Sequence, residues 1–263
     1  MLPLLLMLGC APKTFAQSLA EPERFRVALS ARFHVEDPEG LPQPALAALA
    51  PTTVAVDLVV ERVLAREFRD GSLGWALTFS EASARFGRDT PTEPLPLSLA
   101  GRTVELRTFP DGELLDVSLV EHIVGPGRLG DVLDVVFPAI TPAPPPLRPG
   151  QSAGRAMHWP VRLNRDSVLL SSAWARWEAV DQTREQRQVR YAGPIEARGR
   201  DLIGEASATF EGSGSVSGDV WLGRRDEGLL RHVFEWERRL EARYPSGATF
   251  TQVQVYSGEV ERL

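Results

Sequence analysis

The sequence predicts a mainly β protein: two runs of long antiparallel meander strands that form curved sheets or a barrel-like body, with one short helix near 127–137. Three observations support this prediction. Long segments alternate apolar and polar residues, turn signals rich in Pro, Gly, Asp and Asn separate them, and helical spacing interrupts the alternation once. Because twist accumulates along long strands, a sheet built from them is expected to curve. The apolar face of such a sheet must be covered by the helix, by the other run of strands or by an apolar ligand.

The chain opens on an apolar stretch at residues 2–8, followed by Gly9 and its only cysteine, Cys10. The stretch is too short to span a bilayer and suits a secretory signal. A small residue and then Cys resembles the lipobox of bacterial lipoproteins, which implies a signal peptide at 1–9 and a lipid anchor on Cys10. Two alternatives stay open: signal cleavage after Ala16, giving a secreted or soluble periplasmic protein, and a chance cysteine.

Three predicted strands follow a polar tether at 10–23. They cover 24–36, 52–68 and 73–86, and in each the apolar residues recur at every second position. A Pro/Gly loop separates the first two strands, and a turn with the Asp-Gly signal joins the second strand to the third. A further hairpin turns at Pro110-Asp111-Gly112.

The period then changes from two to that of a helix. Within 125–140, helical spacing is shown by Leu129, Val132, Leu133 and Val136. Pro138 is expected to stop this short helix. A proline-rich connection at 141–152 is stiff and extended, so it cannot be a central strand. It divides the chain into an N-terminal β half, 24–140, and a C-terminal β half, 153–263.

The second half contains six further strand-like segments separated by turn signals. One of them, "LLRHVFEWERRLEARY", fits either of two periods. Alternation places His232, Phe234 and Trp236 on one strand face, whereas Leu229, Val233 and Leu240 lie near helical spacing. We favour a strand, because a Pro-Ser-Gly turn joins the segment to an alternating partner.

From about residue 101 onward, the order of features resembles a family of uncharacterised exported bacterial lipoproteins with a domain of unknown function. The matching stretches are "GRTVELRTFPDGELLDV", "LGDVLDVVFPAITPAPPPLRPGQSA", "YAGPIEARG", "GSGSVSGDVWL" and "EGLLRHVFEWE". Ala153 stands where the family usually has Trp. The resemblance implies export and a mostly β fold, and it carries over no catalytic residue.

Composition and motifs exclude several function classes. The net charge of -6 argues against nucleic acid as a partner, and one cysteine excludes an intramolecular disulfide. The histidines show no metal-ligand spacing and are expected at the surface or at strand edges; they are His34, His122, His158 and His232. The stretch "GSGSVSG" lacks the ending of a phosphate loop, so a strand, bulge or turn is expected. No catalytic residue, metal site or cofactor is predicted.

Tryptophans are concentrated in the second half. Aromatic side chains on a curved sheet suit a ligand pocket, although core and rim packing is the alternative. The candidate pocket aromatics are Trp159, Trp174, Trp221 and Trp236. Trp174 and Trp177 are three apart and should face opposite sides of a strand.

We therefore expect a non-catalytic binding module for a hydrophobic ligand or an envelope component. It would be anchored in the bacterial cell envelope, on the outer membrane at its periplasmic side or at the cell surface. Its partners would be the membrane, a lipid or another envelope protein. The alternatives are a structural envelope lipoprotein and a hydrolase of envelope polymers.

Overall fold

The structure is a computed structural model that describes residues 22–41, 51–87, 93–109, 113–118, 129–162, 168–203 and 206–263. These residues form twelve strands and one helix. The strands are β1 (Glu23–Glu39), β2 (Thr52–Glu67), β3 (Leu73–Gly87), β4 (Leu95–Pro96), β5 (Thr103–Thr108), β6 (Leu114–Ser118), β7 (Ser152–Arg162), β8 (Val168–Gln182), β9 (Gln186–Ile203), β10 (Ala206–Gly223), β11 (Leu229–Arg243) and β12 (Thr249–Arg262), and the helix is α1 (Leu129–Ile140). The predicted signal peptide, the predicted anchor Cys10 and the predicted turn at Pro110-Asp111-Gly112 lie outside the described residues.

The strands form one antiparallel sheet in the order β6-β5-β3-β2-β1-β12-β11-β10-β9-β8-β7, with β4 paired to β3. The first strand pairs with the last, from Phe25 opposite Arg262 to Glu36 opposite Thr251. The edge strands β6 and β7 lie beside each other, so the sheet is a nearly closed barrel. This confirms the predicted fold class, and it decides between separate curved sheets and a barrel-like body.

The interior of the barrel is mainly apolar, as the period-two pattern predicts, and a few buried polar side chains such as Arg62, His232 and Arg238 interrupt it. In β1, alternate residues are almost completely buried: Phe25, Val27, Leu29, Ala31 and Phe33. The intervening positions Arg24, Arg26 and Arg32 are exposed. The ambiguous segment at 229–243 is strand β11, and its alternate residues Phe234 and Trp236 are also buried.

The C-terminal half of α1 fills part of the interior. Its fully buried residues are Val135, Val136, Phe137, Ala139 and Ile140, and they belong to the same core as the barrel wall. The prediction that Pro138 stops the helix is wrong, because the helix continues to Ile140. Proline interrupts the hydrogen bonding of a helix. Here side chains of the wall bind the last carbonyls instead: His232 Nδ1 lies 2.8 Å from the carbonyl oxygen of Ala139, and Arg62 Nη1 lies 2.6 Å from that of Ile140.

The outer face of the barrel carries charged side chains in cross-strand pairs. Arg231 Nε lies 2.6 Å from a carboxylate oxygen of Glu259, and Arg190 Nε lies 3.0 Å from one of Asp219. Exposed pairs of this kind contribute little to stability, but they identify a surface that contacts water. Within the described part of the chain, no helix is both long enough and apolar enough to cross a bilayer.

Candidate binding site at the barrel seam

The junction between β6 and β7, which we call the seam, is where the barrel closes. Among the described residues, β6 pairs only with β5, and β7 pairs only with β8. A side-chain contact crosses the seam instead: His158 Nε2 of β7 lies 3.7 Å from an Oε1 oxygen of Glu113, the residue before β6. The side chain of His158 is 54% exposed, so this contact is weak. Within the described residues, side chains and no backbone ladder therefore join the two strands at the seam.

A crevice with a volume of about 30 Å³ lies at this seam. Its apolar lining includes Leu114 of β6, Pro138 of α1, Met157 of β7 and Trp177 of β8. Space of this size holds one or two water-sized groups, not a whole ligand. The crevice thus lies where four consecutive elements, β6, α1, β7 and β8, meet.

The polar lining of the crevice includes two donor side chains, Arg155 and Trp177, and the carboxylate of Glu113. Arg155 Nη1 donates to the carbonyl oxygen of Ala143 at 2.8 Å, in the proline-rich connection. Trp177 is 0% exposed, and its indole Nε1 has no hydrogen-bond partner among the described residues. Glu113 is the one acidic residue of the lining within the described chain, and it faces His158.

A series of buried side-chain contacts connects the barrel strands behind the crevice with α1. The ring of Trp177 stacks on Tyr191 with centroids 4.6 Å apart, and the Tyr191 hydroxyl lies 2.9 Å from His232 Nε2. The Ala139 carbonyl can only accept a hydrogen bond, so His232 carries its proton on Nδ1. His232 Nε2 then accepts from the hydroxyl of Tyr191.

Burial determines the charge states of His232 and Tyr191. Burial lowers the pKa of His232 from 6.5 to about 4, although the hydrogen bond to Ala139 opposes the shift. Burial also raises the pKa of the Tyr191 hydroxyl above its usual value. Both groups are therefore neutral at physiological pH. They position α1 and the wall without adding charge to the interior.

His232 was expected at the surface or at a strand edge, and that prediction is wrong, because this side chain is 2% exposed. The signal was present in the alternation, which places His232 on the same face as Phe234 and Trp236. His34 and His158 lie at the surface, as expected: His34 is half-buried and His158 is exposed. His122 lies outside the described residues.

The structure does not bring the candidate pocket aromatics together. Trp174 is on the outer face and 63% exposed, whereas Trp236 is buried in the core. Trp221 is half-buried on the outer face, where the guanidinium of Arg231 lies 5.0 Å from its ring centroid. Trp159 lies in β7, and its side chain is outside the described part of the chain. Trp177, which spacing placed opposite Trp174, is the tryptophan that lines the crevice.

The stretch "GSGSVSG" lies within β10, in agreement with the strand prediction. A Cβ on Gly214 would collide with the backbone carbonyl of Glu237 on β11, and one on Gly212 with that of Arg239. Glycine is required here because the neighbouring backbone approaches closely. Within the described residues, no group of three or more His, Cys, Asp or Glu side chains is placed to hold a metal ion.

No protein-family model matches the chain, and no curated protein matches it. One similar solved structure is described as "Asymmetric conductivity of engineered proteins"; it is 10% identical, with a TM-score of 0.21, over 90% of this chain and 100% of that one. Another is a mutant porin of Rh. blastica, 9% identical, with a TM-score of 0.20, over 90% of this chain and 98% of that one. Scores this low do not establish a shared fold. The barrel is compatible with a binding or a structural protein of the cell envelope.

Proposed function

We propose that this chain is a non-catalytic binding module of the bacterial cell envelope, anchored to the membrane through Cys10, which takes up an apolar ligand at the seam. One observation carries the proposal. The interior is mainly apolar, and within the described residues side chains close the seam between the neighbouring strands β6 and β7 without a backbone ladder. Opening it exposes Leu114, Met157 and the core behind them at a small cost in hydrogen bonds.

The apolar wall behind the seam suits an aliphatic chain. Trp177, Phe137 and Phe234 are all buried in one continuous core. A ligand that enters here contacts apolar side chains on both flanks, and burial of its surface drives binding at about 25 cal/mol per Å². On the outer face of β11 and β12, by contrast, charged side chains such as Arg231 and Glu259 pair with each other.

A second candidate is a structural envelope lipoprotein without a ligand. The packing of α1 favours it, because Phe137 and Ile140 already occupy space inside the barrel. In this case the seam stays shut, and the protein acts through its outer surface. The two candidates differ in whether a ligand accompanies the purified protein.

The test is native mass spectrometry of the full chain extracted from membranes in a mild nonionic detergent. A lipid that copurifies in a fixed stoichiometry supports the proposal, and a protein that carries none contradicts it. Purified protein is then incubated with a fluorescent C12 acyl lipid. Uptake is compared before and after a short bifunctional thiol reagent joins the two sides of the seam in the variant Glu113→Cys/His158→Cys.

The matched control is a cross-link between Glu235→Cys and Ser257→Cys. These residues are direct partners in the ladder between β11 and β12 and lie on the outer face. Cross-linking the seam should reduce uptake at least tenfold, and cross-linking the control pair should leave it unchanged. Equal uptake by both cross-linked proteins would show that the ligand does not enter between β6 and β7.

A further inference from the structure

We infer that the seam crevice binds the anionic head group of an amphiphile, a carboxylate or phosphate oxygen, with the indole N–H of Trp177 and the guanidinium of Arg155 as its donors. This inference rests on the proposed function and names the class of ligand. The head group and the acyl chain of the ligand contact different parts of the seam. The acyl chain contacts the apolar lining, and the charged oxygen occupies the crevice.

The indole of Trp177 is the first reason. Its side chain is completely buried, it lines the crevice, and its Nε1 has no partner in the described part of the chain. An indole N–H is a donor only, and leaving such a donor buried without an acceptor costs about 1–3 kcal/mol. A ligand that supplies an oxygen at this point recovers that free energy. The group to be recognised is therefore an acceptor.

Charge is the second reason. Arg155 is half-buried at the crevice, and its guanidinium is permanently positive with five N–H donors in a plane. It binds the carbonyl oxygen of Ala143 with Nη1, and a guanidinium serves several acceptors at once. The carboxylate of Glu113 also lines the crevice, where it lies 3.7 Å from His158. Donors from Trp177 and Arg155 together favour an oxyanion over a neutral acceptor.

Size is the third reason. A volume of about 30 Å³ accommodates one carboxylate or part of one phosphate, so the crevice selects a functional group and leaves the chain outside it. Leu114, Pro138 and Met157 supply apolar contacts for the carbons next to that group. The rival explanation is a single bound water that accepts from Trp177. The two explanations differ in whether a charged amphiphile competes for the site.

The experiment follows the indole N–H signal of Trp177 in the ¹⁵N-labelled full chain, held in nonionic detergent, during titration. The probes are sodium octanoate, octyl phosphate and 1-octanol, which share a chain and differ in the head group. We expect octanoate, octyl phosphate or both to shift this signal in a saturable manner, with a dissociation constant at least tenfold below that of octanol. Comparing the two anions distinguishes a carboxylate ligand from a phosphate ligand.

Variants identify the donors. Trp177→Phe should weaken binding of the preferred anion about tenfold, as removal of one charge-assisted hydrogen bond predicts, and should weaken octanol binding less, because a hydroxyl oxygen is the weaker acceptor. Arg155→Met serves as a second variant if Trp177→Phe does not fold, and it should have the same selective effect. The control Trp236→Phe also removes a buried indole, from the core, and should leave the affinity of the anion unchanged.

The outcomes separate this inference from the function on which it rests. If all three probes bind equally and neither Trp177→Phe nor Arg155→Met weakens the anions, the head-group assignment is wrong while apolar binding stands. The head-group assignment is equally wrong if the Trp177 signal responds to no probe although a lipid copurifies. If no probe binds and no lipid copurifies, both the inference and the proposed function are wrong.

Discussion

His232 shows how a single polar residue is accommodated inside this barrel. Its two ring nitrogens bind Tyr191 on one side and the carbonyl of Ala139 on the other, at 2.9 and 2.8 Å. A buried polar group is tolerated when its hydrogen bonds are satisfied. Here the second partner is a carbonyl at the end of α1, which has no N–H partner within the helix. One side chain thus joins β9, β11 and the helix.

The buried His232 makes a testable contribution to the pH dependence of stability. Its pKa is about 4 in the folded protein and 6.5 in the unfolded chain, because burial disfavours the charged ring. The full contribution is present above pH 6.5. As the pH falls from 6.5 to 4, the unfolded chain takes up a proton that the folded protein does not. The free energy of unfolding should therefore fall by about 3 kcal/mol over this interval.

Urea unfolding at a series of pH values measures this slope. The variant His232→Gln cannot titrate, so its stability should change less than that of the native sequence between pH 6.5 and 4. The control His34→Gln replaces a half-buried histidine at the surface, paired with Glu36, and should keep more of the native slope than His232→Gln does. Tyr191 stays neutral in this range, and the nearby charge of Asp219 favours protonation only slightly. Parallel slopes for the native protein and His232→Gln would contradict the assignment.

At the scale of the element, the wall holds α1 by its C-terminal end. Arg62 of β2 donates to the carbonyl oxygen of Ile140 and also binds the carboxylate of Glu23 through Nε at 3.0 Å. A cation at a helix C-terminus interacts favourably with the helix dipole. These contacts, together with the apolar packing of residues 135–140, hold the helix in the barrel.

Replacing Arg62 should loosen this end of the helix. Arg62→Met leaves the carboxylate of Glu23 and the carbonyl of Ile140 buried without their guanidinium, although Arg262 lies 3.6 Å from Glu23. Breaking a buried pair is strongly destabilising, so the free energy of unfolding should fall by about 3 kcal/mol. Arg66→Met is the matched control on the same strand. That side chain is 58% exposed, and its loss should cost less than about 1 kcal/mol.

Denaturant unfolding measures both changes. Hydrogen exchange at the amides of residues 135–140 adds a local readout, because the helix end should open more easily in Arg62→Met than in Arg66→Met. Equal effects of the two substitutions would mean that burial of the Arg62 pair does not anchor the helix.

At the scale of the whole molecule, the ladder between β1 and β12 joins the two halves of the chain. Val27 of β1 pairs with Val260 of β12, and both side chains are completely buried. The strands on either side of this ladder share one core. A sheet joined in this way should unfold as a unit, because opening one half exposes the apolar face of the other.

Val260→Ala tests that cooperativity. Truncating this buried side chain should destabilise the protein by about 2 kcal/mol, from lost burial and the cavity left behind. Hydrogen exchange should show the same loss of protection in β2 and in β9, one strand from each half. Ser257→Ala, an exposed position of β12, should change neither. A loss confined to β9–β12 would show that the halves unfold independently.

Much of this fold consists of strands and turns, which depend on neighbouring residues in the chain. Local sequence patterns therefore predict it. The alternation of residues 24–36 predicts both a strand and its buried face, and the turn signal beside Gly247 decides between helix and strand at 229–243. The crevice is a different case. Glu113, Arg155 and Trp177 lie on separate elements, and spacing indicates only that Trp177 faces away from Trp174.

Alternation and turn signals along the chain are enough to predict the β architecture and the inward faces of the strands, and the first ten residues are enough to predict export. The pairing of β1 with β12, the contact of His232 with α1 and the meeting of β6 and β7 at a seam become visible only in the folded barrel. Alternation specifies which face of a strand is apolar, but it does not specify which strand lies beside it. Strand order depends on contacts between distant residues, and those contacts create both the seam and the crevice within it.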